Sequence, residues 1–185
     1  MARIQPLQIT DAPARSRPLL DEIQRSMGMV PNMMKVLAHS PAALSAYLRQ
    51  SQALGGVFDA RLREQIALAV AGVNGCDYCA SAHTLMAKNL GIGADELADN
   101  LHGRSSDSRT QAVLRFAKEV VESHGTPSEG AFADVRAAGF GEAELTELLS
   151  LVALNIFTNY FNLAAETEID FPKVDTSTAV RGGAR

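Results

Sequence analysis

The chain has 185 residues, with 21 acidic and 17 basic side chains and a formal net charge of −4. That length supports one buried core without disulfides or metals, and the mildly acidic balance offers no basic footprint for nucleic acid. The longest apolar segment, LLSLVALNIF, is short of the roughly 18 residues a bilayer crossing needs and runs on into asparagines, which argues against a membrane span.

In chain order the sequence reads as helix after helix, with no useful alternation of apolar and polar residues to mark strands. A first helix is predicted from about Ala14 to Met27, stopping at Gly28, and Pro31 opens a second, PNMMKVLAHS. Pro41 opens a third, which closes at Gly55-Gly56. A fourth, Ala60 to Val73, carries Leu62, Ile66, Ala69, Val70 and Val73 at helical spacing. Asn74-Gly75 breaks it, and a fifth runs from Cys76 to Leu90. After a short helix from Ala94 to Leu101, Asp107 or Ser108 caps a long amphipathic one. EGAFADVRAA forms the next, and the last, about Glu142 to Thr167, is apolar enough through its middle to lie in the core or an interface. The whole is expected to be a single all-α domain over residues 1–185, with a core at about 28–172 and a helical arm at about 12–27. The tail, about 171–185, is flexible by composition, and packing against another subunit is the expected way to order it. The N-terminus lacks the apolar stretch of a signal peptide, so a cytoplasmic location with reduced thiols is expected.

The chemistry concentrates in NGCDYCASAH, which holds the only two cysteines, Cys76 and Cys79. With Gly75 ending one helix, both thiols fall in the first turn of the next, where free N–H groups and the helix dipole favour a thiolate. Residues three apart on a helix are neighbours, so the two sulfurs can reach each other. His83, four residues after Cys79, lies one turn on along the same face and can handle the proton of that thiol. Glu64 stands in an otherwise apolar helical run, at a point that an antiparallel helix pair joined at Asn74-Gly75 would bring alongside the fifth helix. A carboxylate there could orient or charge His83, although a solvated residue paired with Arg61 or Arg63 is an equal reading.

Other readings of these residues stay open. Cys76, Cys79 and His83 give three of the four ligands of structural zinc, for which His39, His102 or His124 would have to supply the last. The cysteines could equally be small buried hydrophobes. The three remaining histidines lie near helix C-termini, where a cation suits the dipole. Met27, Met29, Met33 and Met34 read as core filler or adaptable interface, with an apolar mouth over the thiols as the functional alternative. Asn155, Asn159 and Asn162 form a polar stripe in the last helix, read here as structural hydrogen bonding.

The segment REQIALAVAGVNGCDYCASAH resembles the core of the alkylhydroperoxidase D and carboxymuconolactone decarboxylase superfamily: a glutamate, Cys-x-x-Cys, then a histidine four residues on. GMVPNMMKVLAHSPAALSAYLRQSQAL and ALNIFTNYFNLAAETEIDFP are similar to its peroxidase-related branch. The resemblance implies a compact multi-helix fold, assembly as a homo-oligomer (trimer or hexamer), and a thiol-dependent hydroperoxide reductase that needs no cofactor. By that resemblance Cys79 attacks the peroxide, Cys76 resolves it as a disulfide, His83 is the base and Glu64 holds His83. The substrate would be a hydroperoxide and the reductant an external dithiol, with neither nucleic acid nor membrane as partner. One position departs. Alkylhydroperoxidase D carries a histidine just before the second cysteine, and Tyr78 stands there in this chain, as a relay or site-lining residue. The alternative within the same chemistry is a redox-sensing module that oxidises without turnover.

Overall fold

The computed structural model describes residues 2–177, and among them every regular element is helical. After a short 3-10 turn at Ile9–Asp11 come α1 (Arg17–Met27), α2 (Asn32–Leu37), α3 (Pro41–Leu54), α4 (Ala60–Asn74) and α5 (Asp77–Asn89). They are followed by α6 (Ala94–Leu101), α7 (Ser108–Glu122), α8 (Glu129–Ala137) and α9 (Glu142–Ala165). The boundaries follow local chemistry. Pro41 sits in the first turn of α3 behind the Ser40 cap, and Asp59 and Asp107 cap α4 and α7 through their carboxylates. Gly75 closes α4 at φ 68°, a left-handed conformation that costs glycine nothing.

α4 is the central column, packed against α5, α6, α7 and α9. One face joins Ile66 and Val70 to Phe116, Val113 and Leu148 of the surrounding helices, all essentially inaccessible to water. The opposite end of the core gathers Leu20 and Ile23 of α1, Met33 and Met34 of α2, Leu44 of α3 and the start of α5. The helical arm expected over about 12–27 is therefore folded into the core rather than extended from it. Where α4 meets α6 the approach is close enough to exclude any side chain: a Cβ on Gly72 would stand 1.8 Å from the Leu101 carbonyl oxygen. Gly72→Ala is expected to destabilise the protein by about 3 kcal/mol, read as a fall in the urea midpoint at unchanged slope.

By length and composition α9 is the one described helix apolar enough to cross a membrane. Half of its most apolar window is buried, and it packs on α3, α4, α5 and α7. Buried polar residues Asn155, Thr158, Asn159 and Asn162 run along the buried side, an expensive placement in lipid but a usable one at a core helix.

Over its described part, the segment after α9 docks on its own chain. The Asn32 backbone N–H donates to Asp170 Oδ2 at 2.8 Å, and the Phe171 ring meets Tyr78 edge-on at 5.6 Å. The Val174 N–H donates to Ser81 Oγ at 2.9 Å, and Thr176 donates from backbone and hydroxyl to Asp77 Oδ1 at 3.0 and 2.7 Å. These bonds end on side-chain oxygens of Asp77 and Ser81 in the first two turns of α5, so the strap holds the helix that carries the thiols. The remainder of the predicted tail, 178–185, lies outside the described residues.

Candidate active site

The site forms where the start of α5 meets α2, α4 and α9. Cys76 is the N-cap of α5 and Cys79 its third helical residue, with the Cys79 N–H donating to Cys76 Sγ at 3.4 Å. Both cysteines are reduced and buried, at 1% and 3% exposure. They are not equivalent. Cys79 lines a cavity of about 420 Å³ that also takes in Glu64, His83, Tyr78 and Met33, and Cys76 lies behind it.

Electrostatics separates the two thiols further. A hydrogen bond from the Cys76 thiol is the main cause that brings the Cys79 pKa down to about 6, against the opposing effect of burial; the charge of His83 and the amides of Asn162 and Asn159 add to it. The Cys76 thiol is pushed far up, first by that same hydrogen bond and then by burial. One proton is thus held between two sulfurs, on Cys76, which leaves Cys79 as the thiolate near neutrality. The helix N-terminus beneath them favours the same distribution.

The structure brings Glu64 to His83, with Nδ1 and Oε2 at 2.7 Å and side chains 22% and 17% exposed. Burial works against the imidazolium, but the Glu64 carboxylate and then the Cys79 thiolate outweigh it and raise the His83 pKa. Arg61 and Arg63, the alternative partners for Glu64, instead donate to the carbonyls of Leu90 and Phe58. With both arginines engaged elsewhere, the carboxylate is left to the histidine. Thiolate, imidazolium and carboxylate stand in sequence, which is an arrangement for moving one proton to a leaving oxygen.

Tyr78 lines the cavity. Its hydroxyl oxygen accepts from the Met33 N–H at 3.0 Å, tying α5 to the start of α2. Burial pushes the phenol pKa up, so it keeps its proton throughout the physiological range. On the zinc alternative, no group of three or more His, Cys, Asp or Glu converges as a ligand set among the described residues. His102 and the residue pair around His124 sit at the C-terminal ends of α6 and α7, and His39 just past α2, its ring bonded to the Gln5 carbonyl. Met27, Met29 and Met33 line the cavity, as the mouth alternative expected, and Met34 is core.

The polar stripe of α9 departs from its structural reading. Asn162 Nδ2 donates to Cys79 Sγ at 3.4 Å and to Met33 Sδ at 3.1 Å. Asn159 accepts from Asn74 Nδ2 at 3.0 Å, and its own amide nitrogen has no conventional acceptor. Two amide donors therefore face the thiolate from α9. The signal available in the sequence was the stripe itself, in a helix otherwise apolar enough to be core. Asn162→Leu removes one donor while keeping the volume, and the Cys79 pKa is expected to rise by about one unit. The pH dependence of iodoacetamide alkylation checks it; an unmoved profile would show that the amide does not stabilise the thiolate.

Residues 38–122 match the model of the carboxymuconolactone decarboxylase family. The fold is similar to a peroxidase-related protein from Ralstonia eutropha JMP134 described as an alkylhydroperoxidase AhpD core, with a TM-score of 0.81 and 23% identity over 91% of this chain and 92% of that one. A peroxidase-related protein from Silicibacter sp. TM1040 superposes at a TM-score of 0.77 with 20% identity, covering 96% and 94%. The debrominase Bmp8 in complex with 2,3,4-tribromopyrrole gives 0.78 and 20%, covering 97% and 94%. No curated protein matches the chain. At such identities the solved structures speak for the fold, which a debrominase shares with peroxidase-related proteins. The matched segment holds Glu64, Cys76, Cys79 and His83: over residues 38–122 the chain is similar to the carboxymuconolactone decarboxylase family, and its all-helical fold is similar to that of an alkylhydroperoxidase AhpD core.

Proposed function

We propose that this protein is a thiol-dependent hydroperoxide reductase that cycles a Cys76–Cys79 disulfide. The observation that carries the reading is the division of labour between the thiols: Cys79, with a pKa of about 6, faces the cavity, and Cys76 holds the proton behind it. In the first step the Cys79 thiolate attacks the terminal oxygen of a hydroperoxide, the O–O bond breaks, and the alkoxide leaves with a proton from His83. Cys79 is then a sulfenic acid and the substrate an alcohol. The Cys76 sulfur displaces water from the sulfenic acid to give the disulfide. An external dithiol reduces it by exchange, becoming a disulfide itself and restoring both thiols.

The apolar cavity suits an organic hydroperoxide better than hydrogen peroxide, because apolar and aromatic side chains, with methionine and leucine the commonest, line most of it. The exposed apolar residues Leu149, Phe157, Tyr160 and Leu163 on α9 fit the homo-oligomer included in this reading. Steady-state consumption of cumene hydroperoxide with dithiothreitol as donor is the test. Many turnovers per chain support the reductase. Consumption that stops after one equivalent identifies a sensor instead, and none at all removes both. Release of bromide from 2,3,4-tribromopyrrole under the same donor would place the chain with debrominase chemistry.

A further inference from the structure

We infer that the cavity carries a carboxylate seat at the end opposite the thiol, and that the substrate is an amphipathic acid oxidised far from its carboxyl group. This rests on the proposed hydroperoxide chemistry for its reacting end and on Arg63 for the other.

The cavity runs along α5. Cys79 and Tyr78 lie at its inner end, His83 and Glu64 midway, and Asn89 at the far end. At that far end the last turn of α3, with Ser51 and Gly55, meets the first turn of α4, where Arg63 also lines the cavity. The register of the α4–α5 pair is fixed independently by the bond from Arg61 to the Leu90 carbonyl and by Glu64 on His83. Ten residues separate Cys79 from Asn89, so the thiol and the Arg63 end stand on the order of 10–15 Å apart by helical rise.

Arg63 is partly buried, and one arm of its guanidinium is held by the Phe58 carbonyl. Phe58 is itself anchored edge-on against Phe140, so the cation is positioned in advance. It has no carboxylate within ion-pair reach among the described residues. Its nearest acidic neighbour in sequence, Glu64, is committed to His83. A partly buried arginine with donors to spare, facing an apolar cavity, is matched by a planar anion that arrives with an apolar chain. The spacing then selects the chain: a carboxylate on Arg63 places a hydroperoxide on Cys79 when about ten carbons separate them. Long-chain fatty-acid hydroperoxides have that form, and short or neutral hydroperoxides do not use the seat.

The test reads binding, so it does not depend on turnover. Calorimetry with the reduced, full-length protein compares decanoate with decanamide, which has the same chain and no charge. Decanoate is expected to bind at least tenfold more tightly, about the effect of one charge-assisted hydrogen-bonded pair, and to slow alkylation of Cys79 by iodoacetamide. In Arg63→Gln the preference for the acid collapses toward one, and Arg63→Lys retains part of it. Decanoate binding no better than decanamide overturns the seat, as does a preference that survives in Arg63→Gln. A protein that shows the acid preference yet consumes no hydroperoxide keeps the seat and loses the proposed reaction, so the two failures are distinguishable.

Discussion

Replacing Cys79 by serine is expected to abolish hydroperoxide turnover, with a loss limited only by the background of the assay, while Cys76→Ser stops the cycle one step later. A serine hydroxyl is not ionised near neutrality, so the first substitution removes the nucleophile altogether. The second keeps it. Cys79 then reacts once and remains a sulfenic acid, which dimedone captures and mass spectrometry locates. The asymmetry is required by the geometry, since Cys79 lines the cavity and Cys76 lies behind it. It is also required by the proton, which the hydrogen bond between the sulfurs leaves on Cys76. The bridge itself needs little motion: an N-cap residue and the third residue of a helix stand within the span a disulfide accepts. Dimedone found on Cys76 in Cys79→Ser, and not the converse, would reverse the assignment. The Cys76 thiol is the largest cause of the low Cys79 pKa, and a serine hydroxyl donates in its place, so first-turn reactivity is expected to be reduced but present.

The helices and the core of the site were legible in the sequence because they are written in local chemistry. Pro41, Asp59, Gly75 and Asp107 start or stop helices by their own backbone or side-chain preferences. Glu64 and His83 were placed together by counting along two helices joined at one glycine, and a hairpin of that kind has little freedom of register. What escaped is what depends on crossing angles between distant segments. Asn159 and Asn162 lie about 80 residues beyond the cysteines, and only the packing of α9 over the start of α5 turns a polar stripe into thiolate donors. The strap from Asp170 to Thr176 has no helical period to reveal it. Its function resides in single hydrogen bonds, donated to Asp77 and Ser81 and accepted from Asn32. Arg63 shows the same limit. Its residue type and position were visible, and the direction of its side chain was fixed only by the loop at Phe58.

Glu64→Gln is expected to lower kcat/KM at neutral pH by on the order of 10²-fold, and to change the shape of the pH profile and not merely its height. In the wild type the reactive form pairs a Cys79 thiolate with a protonated His83. Hydroperoxide turnover is expected to rise as pH passes the Cys79 pKa of about 6 and to fall again as pH passes the raised pKa of His83. Both limbs belong to the coupled pair. Glutamine keeps the size and a hydrogen-bonding group for the ring but removes the charge that offsets the burial of the imidazolium. The His83 pKa then falls, which moves the alkaline limb to lower pH. With less positive charge beside it the Cys79 thiolate is less favoured, so its pKa rises and the acid limb moves to higher pH. The window closes from both sides, and once the two limbs cross, the thiolate–imidazolium pair is a minority form at every pH. Glu64→Asp keeps the charge at a longer reach and is expected to fall between the two, with the bell narrowed but not closed. A merely structural Glu64 would lower stability and leave the pH limits where they are. An unmoved bell of reduced height would therefore remove Glu64 from the proton-handling set.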